Sequence, residues 1–266
     1  MNLKLALCSI VLINLYTLCF SQTMEPIKPM IIAHRGASFV APENTVASAK
    51  LGFSQGADAV EIDIYLSLDK RIMVMHDSDT KRTAGVNYIL AKTLSDTLRK
   101  LNVGKWKNEK YTGEKIPFLE EILQTIPDGK KLIIEIKCGV EVIPYLKAIL
   151  LKSGRIENYV IISFDFNVLA AAKVAMPNIP MYFLSSMVSV SSCKELILKI
   201  KEHKMEGLNL RYSTINTEIA ELCKQNSVPL YTWTVDDIKD AANLVKLGVA
   251  GITTNKPLEI REGLGL

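Results

Sequence analysis

The chain has 266 residues, of which 48% are hydrophobic and 23% are charged, and its formal net charge is +4 at pH 7. These values describe an ordinary globular protein that can build a sizeable core, as one large α/β domain or as two smaller ones. The mildly basic balance and the absence of a long lysine or arginine cluster argue against nucleic acid as a partner.

The first segment has the layout of a secretory signal peptide. One lysine precedes an apolar run from Leu5 to Phe20, and small or polar residues follow the run. We therefore predict a signal peptide at residues 1–21, cleavage after Ser21, a secreted or periplasmic protein and no stable membrane anchor after cleavage. A transmembrane anchor is the alternative, but the run is short for a span of about 20 apolar residues. Cys19 raises a lipoprotein as a further alternative, which the bulky residues before it disfavour.

Beyond residue 21, short β-rich apolar runs alternate with stretches of helical periodicity. The predicted strands are Met30–Ala33, Ala59–Leu66, Lys131–Lys137, Tyr159–Phe164, Pro180–Leu184, Glu206–Leu210, Val228–Trp233 and Ala250–Thr253. The predicted helices are Glu43–Gln55, Phe118–Ile126, Glu141–Lys152, Phe166–Ala175, Ser192–His203, Asn216–Gln225 and Asp237–Leu247. About eight such repeats predict parallel βα units that close as a (β/α)8 TIM-type barrel in a single domain, residues 22–266. An open doubly wound sheet is the alternative, but no Gly-x-Gly-x-x-Gly follows the first strand.

One polar, glycine-punctuated segment, about residues 77–116, interrupts this rhythm. We interpret it as an insertion after the second strand that lies over one end of the barrel, because long loops in compact domains are usually functional or disordered. Leu94, Leu98 and Leu101 predict a short amphipathic helix within it.

Ionisable residues fall at the ends of several predicted strands, where barrel enzymes carry their catalytic groups. His34 and Arg35 end the first strand. Glu61 and Asp63 are two apart in EIDIY and therefore share one face of the second. A turn after that strand folds the next segment back and returns His76 to the same region.

The third strand repeats the pattern with Glu135 and Lys137, again two apart. Each feature alone has a structural reading: a half-solvated strand, a structural histidine, or a local His-Asp pair. His203, the third histidine, reads as a solvated surface residue. The coincidence of all of these residues at one barrel mouth favours a functional site, since burying so many uncompensated ionisable groups would cost roughly several kcal/mol for each group.

The composition of this set indicates phosphodiester chemistry. Glu61, Asp63 and Glu135 are hard oxygen ligands that suit Mg²⁺ or Ca²⁺. Cationic side chains beside such an ion suit an anionic substrate, and the two histidines suit acid/base catalysis. The sequence leaves open which histidine is the acid, and whether a cyclic phosphate precedes the product.

An ordered set of motifs resembles the glycerophosphodiester phosphodiesterase family. From Ile31 to Pro257 the chain reads HRG with PENT, EIDI, HD followed by KRTAG, IPFLEEIL, EIK, YTWTV and GITTNKP. The resemblance implies hydrolysis of glycerophosphodiesters, small molecules, to an alcohol and sn-glycerol 3-phosphate. It also implies a divalent cation, Ca²⁺ or Mg²⁺, and assigns roles to seven residues: Glu61, Asp63 and Glu135 on the metal, His34 and His76 as the acid/base pair, and Arg35 and Lys137 on the phosphate.

A few positions depart from the family's usual pattern. Asn255 stands where Asp is frequent, Asp236 where Asn is common and Phe118 where Thr is usual. We expect none of these departures to touch the catalytic set, although they leave the substrate range open. Trp233 is either an apolar wall beside the substrate or core packing, and Asn44 in PENT is expected to shape a turn and helix start.

Two other functions remain as alternatives. A lysophospholipase D would use the same chemistry on a lipid that keeps one acyl chain, but the polar insertion does not favour an apolar groove. A catalytically silent binding protein would have lost a histidine or a metal carboxylate, and all of them are present.

Overall fold

The computed structural model describes residues 28–266 and shows a closed barrel of eight parallel strands. The strands are β1 Met30–His34, β2 Ala59–Leu66, β3 Ile72–Val74, β4 Lys131–Ile136, β5 Tyr159–Ser163, β6 Met181–Ser185, β7 Gly207–Arg211, β8 Leu230–Trp233 and β9 Gly251–Thr254. The strand order is β1-β9-β8-β7-β6-β5-β4-β2, and pairing of β1 with β2 closes the ring. β3 lies outside the ring, antiparallel to β2. The predicted barrel is confirmed, and the predicted strand ends differ from the observed ones by two residues at most.

Helices follow the strands around the outside. They are α1 Val46–Ser54, α2 Lys81–Ala84, α3 Ser95–Leu98, α4 Leu119–Leu123, α5 Ile143–Ser153, α6 Phe166–Ala175, α7 Val190–Glu202, α8 Thr217–Gln225, α9 Ile238–Lys246 and α10 Pro257–Gly263. The seven predicted helices are present, mostly shorter than expected. α1, for example, begins three residues late because Thr45 caps it by accepting a hydrogen bond from the Ser48 N–H. α10 was missed, although Pro257 at its first position is a typical helix start.

The alternation of side chains along each strand separates two apolar layers. In β2, Val60, Ile62 and Ile64 belong to the large core between the strands and the outer helices. A smaller cluster fills the barrel interior and includes Tyr182 and Tyr231, whose rings meet edge to face at 4.5 Å. Glu61 and Asp63 therefore lie on the inward face of β2, opposite to its apolar side chains.

The segment at residues 77–116 has an apolar core of its own. Met73 and Met75 from the β3 region pack with Leu90, Leu98 and Ile116. The predicted amphipathic helix forms as the four-residue α3, with Leu98 fully buried and Leu94, the residue before the helix, exposed. Within residues 28–266 no helix is long and apolar enough to cross a membrane. The predicted signal peptide, residues 1–21, lies outside the described residues.

Candidate active site

Three acidic side chains meet at the carboxyl-terminal mouth of the barrel. Glu61 and Asp63 point inward from β2, and the register of the parallel pair places Asp63 beside Glu135 on β4. One carboxylate oxygen from each of the three lies within 4.8 Å of those of the others. All three side chains are buried. Their positions at the ends of barrel strands predicted this convergence.

The environment of these acids favours a bound cation. Burial raises the pKa of Glu61 well above its usual range, and the nearby Asp63 carboxylate raises it further. Burial and Asp63 raise the pKa of Glu135 in the same way. Glu61 Oε1 is buried and has no hydrogen-bond partner among residues 28–266. A cluster of hard oxygen donors, one of them free, fits Ca²⁺ or Mg²⁺.

The HRG motif turns the chain sharply at the end of β1. Arg35 and Gly36 both have positive φ angles, +54° and +81°. A Cβ atom on Gly36 would lie 2.4 Å from the carbonyl carbon of Ser48, so this close approach requires glycine. The turn lets the Arg35 backbone N–H donate to Glu61 Oε2 at 2.9 Å.

Two cationic side chains flank the acids, as predicted. Arg35 Nη1 donates to Glu43 Oε1 at 3.0 Å, and its Nε lies 3.4 Å from Asp63 Oδ2. Lys137 Nζ lies 2.9 Å from Glu135 Oε1 and 3.7 Å from Asp63 Oδ1. Both cations are thus within reach of an anion that is bound at the acid cluster.

A polar side chain contacts the ring nitrogen of His34 that is farther from the acids. Its Nδ1 lies 2.7 Å from Asn255 Oδ1, while its Nε2 lies 4.0 Å from Glu61 Oε2. Burial, followed by the charge of Arg35, lowers the pKa of His34 to about 4. The imidazole is therefore neutral at neutral pH. The expectation that no departure touches the catalytic set was wrong, because Asn255 contacts His34 directly.

His76 reaches the same cavity from β3. The antiparallel pairing of β2 with β3 ends where the Met75 N–H donates to the Asp63 carbonyl at 3.0 Å, so the next residue lies at the mouth. His76 Nδ1 lies 2.7 Å from Asp77 Oδ1. Arg82 in turn donates from Nε to Asp77 Oδ2 at 2.7 Å.

Glu43 and Asn44 organise the site more closely than the sequence predicted. Glu43 accepts two hydrogen bonds from Arg82, both at 2.8 Å, in addition to the one from Arg35. Asn44 has a φ of +57° and shapes the turn before α1, as expected. Its Nδ2 also donates to Asp63 Oδ2 at 2.8 Å, and it accepts from the Asp63 N–H at 3.2 Å. Asn44 therefore orients one of the three acids.

All the predicted site residues except the more deeply buried Asp63 line one cavity, whose far wall is partly apolar. Trp233 forms that wall, with Nε1 donating to the Asn209 carbonyl at 3.2 Å and its ring meeting Phe164 edge to face at 5.4 Å. Trp233 thus lines the cavity and also packs against Phe164. The sequence reasoning missed Phe164 and Asn209; a polar residue inside the apolar β7 was the available signal for Asn209. The buried Asn209 Oδ1 finds no partner in the part of the chain that the structure describes.

Fold and site together define an enzyme of the (β/α)8-barrel class, with its functional groups at the carboxyl ends of the strands. The chain belongs to the glycerophosphoryl diester phosphodiesterase family, whose model matches residues 34–259. The chain is therefore a glycerophosphodiester phosphodiesterase by enzyme class, as the motifs implied.

Individual relatives agree with this assignment. A glycerophosphodiester phosphodiesterase from Caldanaerobacter subterraneus subsp. tengcongensis is 34% identical over 86% of this chain and 95% of its own length. One from Bacillus subtilis is 29% identical over 96% of this chain and 93% of its own. A solved Oleispira antarctica phosphodiesterase, in complex with the product sn-glycerol-3-phosphate, is similar with a TM-score of 0.84 and 29% identity, and covers 90% of this chain and 97% of its own.

Proposed function

We propose that this glycerophosphodiester phosphodiesterase is metal-dependent and uses His34 and His76 for proton transfer. The observation that carries the proposal is the cluster of Glu61, Asp63 and Glu135, two of which, Glu61 and Glu135, line one cavity together with both imidazoles. The substrates are small glycerophosphodiesters such as glycerophosphocholine and glycerophosphoethanolamine, which are cleaved to an alcohol and sn-glycerol 3-phosphate.

The charges of the site support a bound divalent cation. Three buried carboxylates face the side chains of Arg35 and Lys137, and burial together with the charge of Asp63 raises the pKa values of Glu61 and Glu135. Glu61, Asp63 and Glu135 would hold Ca²⁺ or Mg²⁺. When bound, such an ion withdraws electron density from a phosphoryl oxygen and stabilises the charge that develops there. Arg35 and Lys137 bind the remaining non-bridging oxygen.

The two histidines have environments that suit different proton transfers. His34 is neutral, so its Nε2 can take a proton from the attacking nucleophile. His76 has its Nδ1 2.7 Å from Asp77 Oδ1, and this contact orients the ring toward the cavity. We therefore assign His34 as the base and His76 as the acid that protonates the leaving alkoxide. Trp233 and Phe164 offer an apolar surface to the carbon atoms of the substrate.

The test is hydrolysis of glycerophosphocholine, glycerophosphoethanolamine and lysophosphatidylcholine, with Ca²⁺, with Mg²⁺ and with EDTA. We expect turnover of the first two, loss of turnover in EDTA and recovery with one of the ions. Turnover that persists in EDTA would contradict the metal dependence. If no headgroup is cleaved with either ion but the diesters bind, the protein is a binding protein and the proposal fails.

We further propose that the protein is exported, on the pattern of residues 1–21. Mass spectrometry of the protein recovered outside the cytoplasm should find a mature chain that begins at Gln22. A chain retained in the cytoplasm with its first residues intact would contradict export.

A further inference from the structure

A chain of two polar side chains reaches His34 from behind the catalytic cavity. Asp236 follows β8 and Asn255 follows β9; β9 is next to β1 in the ring, and β8 is next to β9. Asn255 Nδ2 donates to Asp236 Oδ2 at 2.6 Å, and Asn255 Oδ1 lies 2.7 Å from His34 Nδ1. The three side chains therefore form one continuous hydrogen-bonded series.

Asp236 determines which way the Asn255 amide faces. Its Oδ1 accepts from the Asn255 backbone N–H at 2.8 Å and from Thr254 Oγ1 at 2.9 Å, so both of its oxygens are engaged. A carboxylate accepts hydrogen bonds and donates none. The Asn255 NH₂ group must therefore face Asp236, and its carbonyl oxygen must face His34.

The orientation of the amide determines the tautomer of His34. Asn255 Oδ1 also accepts from Ser38 Oγ at 2.8 Å, a contact that is compatible with this orientation. An acceptor opposite Nδ1 requires the proton of a neutral imidazole on that nitrogen. The lone pair then lies on Nε2, the nitrogen nearer to the acid cluster.

We infer that Asp236 is a positioning residue that acts through Asn255 to keep His34 in the Nδ1–H tautomer, with a basic Nε2 toward the reacting groups. The inference rests on the proposed role of His34 as the base. Asp236 itself touches Asn255 and Thr254 rather than His34.

The experiment compares Asp236→Asn with the exchange variant Asp236→Asn/Asn255→Asp. In Asp236→Asn an NH₂ group faces the Asn255 NH₂, so the Asn255 amide turns over and presents NH₂ to His34. This favours the Nε2–H tautomer, and kcat should fall by roughly 10² with little change in KM. In the exchange variant, the carboxylate introduced at position 255 again accepts from His34 and Ser38. It also accepts from the amide introduced at position 236, so most of kcat should return.

A direct measurement of the tautomer makes the inference independent of turnover. In ¹⁵N spectra at neutral pH, His34 of the unmodified enzyme should show a protonated Nδ1 and an unprotonated Nε2. Asp236→Asn should reverse this pattern, and the exchange variant should restore it. The chain has three histidines, so His34→Gln assigns the signal, and the exposed His203 should not change.

Two results would overturn the inference. One is an Asp236→Asn enzyme with unchanged kcat and unchanged His34 nitrogen signals. The other is an exchange variant that is no better than Asp236→Asn although circular dichroism shows it folded. If His34→Gln itself keeps full turnover, the proposed base is wrong, whereas the nitrogen signals still report whether Asp236 sets the tautomer.

Discussion

At the residue scale, the site separates its two imidazoles by environment. His34 is largely buried, and this burial together with the charge of Arg35 lowers its pKa and disfavours a second proton on its ring. His76 is paired with Asp77, whose own carboxylate is held by Arg82. The two histidines of one cavity thus have different surroundings, as the proposed base and acid require.

Replacing either imidazole should remove one proton transfer without unfolding the barrel. His34→Gln and His76→Gln should each lower kcat by ~10² or more, because general acid or base catalysis typically contributes that much. His203→Gln is the matched control, since His203 is exposed and outside the cavity. Steady-state kinetics on glycerophosphocholine, with circular dichroism for the fold, measures the effect. Near-normal turnover in one of the first two variants would remove that histidine from the acid/base pair.

The charged residues that line the cavity were more predictable than the residues that orient them. The spacing of Glu61 and Asp63 places both on one face of a strand, which is a local rule. The contact between His34 and Asn255 spans 221 positions and depends on how β1 and β9 are aligned in the closed ring. Such a contact has no local pattern. Glu43 was missed for the same reason, because its partner Arg82 lies 39 positions away.

At the scale of elements, the turn after β1 is a close-packed joint between β1 and α1. Gly36 combines a left-handed backbone with direct contact to Ser48 in α1. Gly85, which follows α2, has a similar φ of +75°, but a Cβ there would meet no atom of the described residues within 4 Å. Comparing substitutions at these two glycines therefore separates the cost of a left-handed backbone from the cost of a steric overlap.

Gly36→Ala should therefore destabilise the protein more than Gly85→Ala. The left-handed backbone alone costs an alanine roughly 1–2 kcal/mol, and this applies to both variants. At Gly36 the overlap with Ser48 adds to that cost and moves Arg35 away from Glu61. Urea unfolding of the three proteins measures the difference, and turnover should fall only in Gly36→Ala. Equal losses of stability would show that the close approach relaxes without cost.

The turn between β2 and β3 fastens the 77–116 segment. Asp69 accepts hydrogen bonds from the N–H and the hydroxyl of Ser95, at 2.8 and 2.6 Å, and from Ser67 Oγ at 2.7 Å. Although burial raises the pKa of Asp69, these hydrogen bonds outweigh it and lower the pKa to about 2. The ionised side chain therefore ties this turn to the first residue of α3.

Asp69→Asn should loosen this attachment in a pH-dependent way. Because the folded-state pKa is depressed, the stabilisation is present above the ordinary aspartate pKa near 4 and is lost as pH falls toward about 2. The Tm difference between the unmodified protein and Asp69→Asn should thus be constant at neutral pH and shrink below pH ~4. Asp96→Asn, an exposed acid in α3, is the control. A difference that does not depend on pH would mean that the charge of Asp69 contributes nothing.

At the scale of the whole molecule, the barrel could be predicted from the sequence because the pattern of strand followed by helix repeats. Parallel strands that are buried on both faces give continuous apolar runs, and eight of them separated by helices leave few other topologies. The repeating pattern did not predict two elements, α10 and β3. α10 follows the last strand and has no strand after it to complete another repeat, and β3 is too short for a strand pattern of its own.

Closing the barrel forces like charges together, and this cost should be visible in the stability of the metal-free protein. Burial and Asp63 raise the pKa of Glu135, so ionised Glu135 opposes folding at neutral pH. Glu135→Gln should therefore match or exceed the unmodified protein in Tm in EDTA. With Ca²⁺ or Mg²⁺ the order should reverse, since a ligand at 100 times its Kd adds about 2.7 kcal/mol to a protein that binds it.

Thermal unfolding in EDTA and in each ion measures this reversal, with Glu157→Gln as the matched control. Glu157 is an exposed acid just before β5, at the opposite end of the barrel from the site, so its variant should keep the full response to the ion. A Glu135→Gln protein that gains as much Tm from the ion as the unmodified protein would place the cation away from the three acids. The same carboxylates that lower the stability of the metal-free protein would thus make the barrel mouth selective for a hard divalent ion.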